Sequence, residues 1–313
     1  MQYAAMGSLP PLIVVAGPTA TGKTELGIRL GEWLLAEGRP ATLISADSRQ
    51  VYRGLDIGTA KATPADQARV PHQGLDLVDP DERFAVSDFV AHATQVLRGV
   101  AGRRGVALLV GGTGLYLRAV ARGLDLDALP DDPDVRARLE AEFAAEGLEP
   151  LAARLVATAP VLAGEIHLAN PRRVIRALEI AELRGDGPRP RPRGYDGPVT
   201  WIGLDIAGDE HRRRIAVRAR AQFDAGLVEE AVALRERFDP TLSAFSAIGY
   251  HEAWSVADGA VGREEAIEQD ARRNALFAKR QRTWFRAEPD VAWLDAATDP
   301  FDKALDLVRR VTD

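Results

Sequence analysis

Three apolar runs along the chain have the length and continuity of strands that are buried on both faces. They are Leu12–Ala16, Thr42–Ala46 and Val106–Val110, and each is followed at once by Gly or Asp. Between the first two, residues 25–35 carry apolar side chains at helical spacing. Strands that alternate with helices predict a parallel sheet with helices packed on its faces.

The pattern changes between residues 130 and 169, where no strand signal is present. This stretch is rich in Ala, Glu, Leu and Arg, and it contains two helical segments, Pro133–Ala145 and Glu149–Thr158. We interpret it as a helical insertion into the sheet-forming part of the chain.

The strand pattern resumes after the insertion. Asn170-Pro171 predicts the start of a helix that ends near Leu183, because Asn caps helices well and Pro is tolerated at the first helical position. Val199–Leu204 and Val291–Leu294 are the next predicted strands. The predicted organisation is a first core segment at 9–124, a helical insertion at 125–169, and a second core segment at 170–313 that ends in a basic helix.

Composition restricts the chemistry that the chain can perform. Its 313 residues suffice for about two domains, and it has no Cys, which excludes disulfides, thiolate nucleophiles and Cys-ligated zinc. The five His are too scattered to form a metal cluster. No apolar run approaches the roughly 20 residues of a membrane span. The first residues lack a basic region followed by a long apolar stretch, so we do not expect secretion. We therefore expect a cytoplasmic protein that does not associate with membranes.

The charge distribution is uneven. The net charge is −6, yet all but four of the 40 basic residues are Arg, and many of these lie in the stretches 172–176, 212–220 and 272–286. A negative average argues against a nucleic-acid partner, whereas local clusters permit one. Taken alone, the clusters indicate only solvated helix faces.

A phosphate-binding motif follows the first predicted strand. Residues 17–24 match G-x-x-x-x-G-K-S/T between a strand and a helix. Backbone N–H groups of such a loop surround a diphosphate, Lys23 adds a positive charge, and Thr24 supplies a hydroxyl for Mg²⁺. The motif does not distinguish a nucleotide such as ATP from another diphosphate. The candidate diphosphate-binding residues are Gly17, Pro18, Thr19, Ala20, Thr21, Gly22, Lys23 and Thr24.

The other parts of a nucleotide-hydrolysing site are missing. The strand Val106–Val110 ends in Gly111 rather than in the Asp that would hold magnesium. Asp47, after the second strand, is the remaining carboxylate, and it is well placed to act as a general base beside the phosphates. A capping or turn role before Ser48 explains the same residue equally well.

Segments along nearly the whole chain resemble the tRNA dimethylallyltransferases. The most specific is 45–61, SADSRQVYRGLDIGTAK. Further segments agree in order and spacing: GGTGLY at 111–116, NPRRVIRALE at 170–179, AIGY at 247–250 and AKRQRTWFR at 278–286. The resemblance implies an α/β fold: a P-loop core with a mostly parallel sheet flanked by helices, plus a helical insertion domain.

The resemblance also implies a reaction. The dimethylallyl group of dimethylallyl diphosphate would pass to the exocyclic amine of the adenosine on the 3′ side of a tRNA anticodon. The phosphate loop would then hold the prenyl donor, with Mg²⁺ at Thr24, which explains why no hydrolysis apparatus is present. The partners are the tRNA anticodon stem-loop and the donor, and we expect a monomer.

Functional residues carry over by matching position. Asp47 would accept the amine proton, while Thr19 and Arg218 would act on the leaving diphosphate. Ser246 and His251 stand where the family usually has basic residues, which puts their contacts in doubt. The RNA-binding set implied by the resemblance is Asp47, Ser48, Arg49, Gln50, Thr113, Arg136, Arg172, Arg173, Arg176, Ser246, Gly249, Tyr250 and His251.

The last basic segment predicts an amphipathic helix. Arg272, Lys279 and Arg286 recur every seven residues, as do Phe277 and Trp284. We expect the aromatic residues in the core and some of the basic residues facing RNA phosphates.

Two other activities are compatible with the phosphate loop. An adenylate prenyltransferase would share the loop and Asp47, but it would not need the insertion or the separate basic segments. A small-molecule kinase that uses ATP would need neither the 172–176 nor the 278–286 segment.

Overall fold

The central element of the protein is a six-stranded sheet. The computed structural model describes residues 9–126 and 128–312, and all statements below refer to these. The strands are β1 (Leu12–Ala16), β2 (Ala41–Ser45), β3 (His72–Gln73), β4 (Val106–Gly111), β5 (Val199–Asp205) and β6 (Val291–Asp295).

Every neighbouring pair of strands is parallel, in the order β3-β2-β4-β1-β5-β6. β1 is central: Leu12 lies opposite Ala107 of β4 and Val199 of β5, and every residue of β1 is fully buried. Burial on both faces explains why these strands are continuous apolar runs. The predicted parallel sheet is confirmed, whereas β3, with two residues, is too short to leave such a run.

Helices cover both faces of the sheet. The described residues contain thirteen α-helices and one 3₁₀ helix, Ser243–Ser246. The α-helices are α1 (Lys23–Ala36), α2 (Pro64–Arg69), α3 (Val86–Gly102), α4 (Gly114–Ala121), α5 (Pro133–Glu146), α6 (Leu148–Thr158), α7 (Pro160–Gly164), α8 (Pro171–Arg184), α9 (Gly208–Asp224), α10 (Leu227–Arg235), α11 (Tyr250–Ala257), α12 (Arg263–Arg286) and α13 (Phe301–Thr312).

Alternate residues of β1 serve two different cores, because successive side chains of a strand point to opposite faces. Leu12 and Val14 belong to a core with buried residues of α3, α4 and α9–α12. Ile13 and Val15 belong to a core with α1 and α13. The sheet is therefore a middle layer whose carboxyl edge carries the loops after β1, β2, β4 and β5.

Residues from Gly123 to Gly194 form a compact helical unit, separate from the sheet-containing unit that comprises the other described residues. Its core consists of α5–α8, including Leu139, Leu155 and Leu178. The predicted insertion, 125–169, is shorter than this unit. The unit also includes residues 123–124 and 170–194, among them α8, which packs its buried face on α5 and α6. The predicted helix start is confirmed, since the Asn170 side chain caps α8.

Candidate functional site

The loop after β1 has the backbone shape of a phosphate loop. Gly17 has φ +146°, and a Cβ there would lie 2.4 Å from the carbonyl oxygen of Leu204. Ala20 and Gly22 adopt the left-handed region with φ +60° and +86°. α1 then begins at Lys23, so its first N–H groups face the loop. This arrangement makes a concave anion site from the backbone.

Cations surround this loop. The Lys23 ammonium donates to the Pro18 carbonyl at 2.6 Å, and burial, followed by the charge of Arg218, lowers the pKa of Lys23 to about 7. A cavity of about 510 Å³ opens here, and Thr24, Arg213 and Arg218 line it together with Lys23. A diphosphate in the cavity would restore the charged form of Lys23.

Arg218 connects α9 to the phosphate loop. Its Nη1 donates to the Thr19 hydroxyl at 2.9 Å. Burial lowers the pKa of the guanidinium, and the carboxylates of Asp47 and Asp270 oppose this shift. The Nε of Arg218 is buried and has no hydrogen-bond partner among the described residues. A buried donor without a partner beside an anion site is a place where a ligand oxygen can bind.

The backbone of Thr19 is held by two side chains that the sequence analysis missed. Its N–H donates to Oε1 of Gln281 at 2.8 Å, and its carbonyl oxygen lies 2.8 Å from Nε2 of His211. Gln281 also donates to the Gly112 carbonyl at 3.0 Å, which connects the loops after β1 and β4. The only sequence signal for Gln281 is its position inside the 278–286 segment.

Asp47 lies at the start of the turn that follows β2. Its Oδ1 accepts from the Arg49 backbone N–H at 2.8 Å, and Ser48 N–H donates to the Thr113 hydroxyl at 3.0 Å. The Asp47 charge raises the pKa of both Lys23 and Arg218, which is consistent with a carboxylate near the phosphate loop. The residues after Asp47 form a turn and not a helix, so the helix-cap alternative does not apply, while the turn alternative does.

The segment 56–60 lies beside this turn and is held by several side chains. The Glu230 carboxylate accepts from the backbone N–H groups of residues 56–58 and from the Tyr250 hydroxyl. Gln222 donates to the carbonyls of residues 57 and 58. In turn, Gln50 donates to the carbonyls of residues 59 and 60 at 3.2 Å, so the amide of this predicted RNA residue is already engaged within the protein.

The helical unit contains the arginines at 136, 172, 173 and 176 that are predicted to bind RNA, and they form two groups. Arg136 and Arg176 both pair with Glu179, which is fully buried, with N–O distances of 2.8 Å. Arg172 and Arg173 are exposed on α8. Because removing one partner of a buried carboxylate destabilises a fold, the first two have a structural role whatever else they contact.

The residues of the segment 246–251 differ in their exposure to solvent. Tyr250 is fully buried, and its hydroxyl donates to Glu230 at 2.8 Å. Ser246 and His251 are exposed, and His251 packs edge-on against Trp254. A contact of this segment with RNA therefore has to come from Ser246 and His251, the two positions that lack the family's basic residues.

The C-terminal basic segment is the helix α12, as predicted. Phe285 is buried, and Trp284 packs on Gly114 beneath the Arg118 guanidinium. The expectation that Phe277 lies in the core is wrong, because this side chain is 37 % exposed. Residues seven apart on an α-helix are only about 20° apart around its axis, so residues 277 and 284 lie on similar faces. They differ in what covers them, since Trp284 lies against Gly114 of α4.

A divalent cation fits the site only if a bound diphosphate supplies part of its coordination. The described residues contain no group of three or more acidic or His side chains that could hold a metal ion. Thr24 is exposed in the cavity, and β4 ends in Gly111 without a carboxylate. Mg²⁺ readily takes most of its oxygens from water and phosphate. One hydroxyl therefore suits Mg²⁺ that arrives with a diphosphate.

A parallel sheet with a phosphate loop after its central strand defines a P-loop α/β protein. A model of the family described as IPP transferase matches residues 50–288. The tRNA dimethylallyltransferase of Kineococcus radiotolerans is 42 % identical over 312 residues, covering 96 % of this chain and 95 % of the relative. That of Thermus thermophilus is 45 % identical over 287 residues, covering 90 % and 91 %.

A solved structure agrees with these relatives. The crystal structure of the full-length tRNA isopentenylpyrophosphate transferase from Bacillus halodurans has 38 % identity and a TM-score of 0.69, covering 96 % of this chain and 95 % of that one. The chain belongs to the IPP transferase family. In the part that the structure describes, no helix has both the length and the apolar content that crossing a bilayer requires.

Proposed function

We propose that the protein is a tRNA dimethylallyltransferase. It transfers the dimethylallyl group of dimethylallyl diphosphate to the exocyclic amine of the adenosine on the 3′ side of the anticodon, giving isopentenyladenosine and diphosphate. The observation that supports this most directly is the buried Nε of Arg218 beside the phosphate loop, which has no hydrogen-bond partner among the described residues, together with a β4 end that lacks a carboxylate. Such a site suits a diphosphate that leaves, rather than a nucleotide that is hydrolysed.

The donor lies in the phosphate loop in this proposal. Residues 17–24 bind the diphosphate through backbone N–H groups and Lys23, and the Thr19 hydroxyl and Arg218 stabilise the charge that develops as it leaves. Thr24 holds Mg²⁺, which supplies further charge neutralisation on the diphosphate when it is bound.

Asp47 acts on the acceptor. As the adenosine amine attacks C1 of the donor, the C1–O bond breaks, diphosphate departs with the bonding electrons, and the amine becomes positively charged. Asp47 then takes one amine proton and leaves a neutral secondary amine. The amine is a weak nucleophile, since its lone pair is delocalised into the ring, so both a base and a cationic leaving-group site are needed.

RNA contacts come from exposed or partly exposed side chains on both units. In the sheet-containing unit these are Ser48, Arg49 and Thr113 near Asp47, with Ser246 and His251. In the helical unit they are Arg172 and Arg173, which act on phosphates. All residues that we assign to the reaction belong to one chain, so the proposed reaction needs no second copy. We propose a monomer that acts on tRNA in the cytoplasm.

Nucleoside analysis tests the proposal directly. Unmodified tRNA is incubated with the protein, Mg²⁺ and dimethylallyl diphosphate, digested, and analysed by mass spectrometry, with AMP as the alternative acceptor. We expect isopentenyladenosine from tRNA and none from AMP. Product on AMP but not on tRNA would indicate an adenylate prenyltransferase, and phosphate transfer from ATP would indicate a kinase.

A further inference from the structure

Thr19 is unusual because every one of its polar groups is held by a different side chain. Its N–H donates to Gln281, its carbonyl accepts from His211, and its hydroxyl accepts from Arg218. Thr19 itself is only 8 % exposed. The direction of its hydroxyl is therefore determined by the helices α9 and α12, which lie about 190 and 260 residues further along the chain.

Gln281 is the kind of side chain that this position requires. Its amide accepts from the Thr19 N–H and at the same time donates to the Gly112 carbonyl. Only a side chain with both an acceptor and a donor can do this, and a carboxylate or an aliphatic chain cannot. The fit is close: a Cβ on Gly112 would lie 2.4 Å from the Gln281 amide nitrogen.

His211 is fixed in one tautomer. The Arg282 guanidinium, which has donors only, lies 3.0 Å from Nδ1, so Nδ1 is the acceptor and Nε2 carries the proton that is donated to Thr19. Arg282 is itself held by Asp205 and by the Ile206 carbonyl. Burial lowers the pKa of His211, and the hydrogen bond to the Thr19 carbonyl opposes this shift. The charges of Arg282 and Lys23 add to the lowering, and the charge of Asp205 opposes it.

We propose that Gln281 and His211 are positioning residues that fix the backbone of Thr19 and so aim its hydroxyl, with Arg218, at the departing diphosphate. This inference rests on the function proposed above. Neither side chain touches a reacting atom. Their effect is on the rate of bond cleavage, because Thr19 and Arg218 act on charge that appears only as the diphosphate leaves.

Gln281→Met keeps the length of the side chain and removes both hydrogen bonds. Its single-turnover rate with saturating donor and tRNA should fall about 10- to 100-fold, its affinity for inorganic diphosphate should fall about threefold or more, and its tRNA affinity should not change. Gln269→Met is the matched control, because Gln269 lies on the same helix and bonds to Glu265 within it. We expect wild-type rates from this control.

Two variants of His211 test its role, one that keeps the hydrogen bond to Thr19 and one that removes it. Gln at this position can donate to the Thr19 carbonyl but cannot be protonated, whereas Leu can do neither. His211→Gln should transfer within about threefold of the wild-type rate at pH 7.5, and His211→Leu should be about tenfold slower. Protonation of His211 at Nδ1 would place an N–H group opposite the Arg282 guanidinium, which also has only donors. The wild-type rate should therefore fall at a pH below 6.5 by a component that His211→Gln lacks.

The single-turnover measurement separates positioning from a loss of folded protein. Misfolding lowers the amplitude of product formation, whereas displacement of Thr19 lowers the rate constant. A Gln281→Met protein with reduced amplitude and a wild-type rate constant would overturn the inference, as would identical pH profiles for wild type and His211→Gln. If the wild type transfers nothing to tRNA, the proposed function fails by itself. Unchanged diphosphate affinity in Gln281→Met would then refute the positioning role as well.

Discussion

Glu230 should be one of the most sensitive polar positions for stability. Its Oε2 accepts from the N–H groups of Asp56 and Ile57, and its Oε1 accepts from Gly58 N–H and the Tyr250 hydroxyl. Glu230→Gln replaces one oxygen with NH₂. In the Oε2 place the NH₂ would face two backbone N–H donors, and in the Oε1 place it would face the Gly58 N–H, because the Tyr250 hydroxyl can turn and accept. A hydrogen bond to a charged group contributes about 1.5–3 kcal/mol, and the remaining bonds also lose the carboxylate charge, so the loss should be about 2–4 kcal/mol.

Thermal unfolding followed by circular dichroism measures this effect. A loss of that size should lower the midpoint by about 4–16 °C for a unit of this length. Glu229→Gln is the matched control, since Glu229 is exposed on the same helix and its loss should change stability by less than about 0.5 kcal/mol. A midpoint for Glu230→Gln within about 1 °C of the Glu229→Gln value would refute the reasoning.

Three further predictions concern the proposed reaction. Asp47→Asn keeps the acceptor for the Arg49 N–H but removes the base, so single-turnover transfer should fall about 10²–10⁴-fold; a loss below about tenfold would remove Asp47 from the mechanism. Lys23→Ala should weaken donor binding and slow transfer, and titration calorimetry should find tRNA affinity nearly unchanged; an unaltered transfer rate at subsaturating donor would contradict this. Replacing Arg172 and Arg173 with Gln should weaken tRNA binding and reduce the slope of log affinity against log salt by about 0.7–0.9 per lost phosphate contact, without loss of stability. A wild-type slope would show that these arginines are only solvated.

The central strands β1, β2 and β4 could be predicted because they are buried on both faces. Leu12–Ala16 and the neighbouring strands are continuous apolar runs for that reason. The phosphate loop could be predicted because its motif lies within eight consecutive residues, 17–24. The limits of the helical unit could not be read in the same way. α8 has an amphipathic pattern that would suit either a sheet or a helical bundle, and only packing against α5 and α6 decides between them.

The residues that support the site were harder to predict than those that form it. Asp47 and Lys23 lie in short motifs next to predicted strands, where neighbouring residues indicate their role. Glu230 contacts a segment more than 170 residues earlier in the chain, and Gln281 contacts one more than 260 residues earlier. No periodicity in one sequence encodes such a separation, because the contacts exist only once α10 has packed against residues 56–58 and α12 against the loop after β1.

The end of β4 carries no metal-binding carboxylate, and the packing around it gives the reason. That strand ends in Gly111, where a Cβ would lie 2.1 Å from the Ala46 carbonyl oxygen, so the loops after β2 and β4 approach more closely than side chains permit. The neighbouring Gly112 is contacted by the Gln281 amide, which also bonds to Thr19. In the proposed reaction, Arg218 and Lys23 would balance the charge on the diphosphate. A carboxylate at residue 111 would therefore disturb the loop contacts before it could bind a metal, so the missing acidic residue is a consequence of how this site is packed.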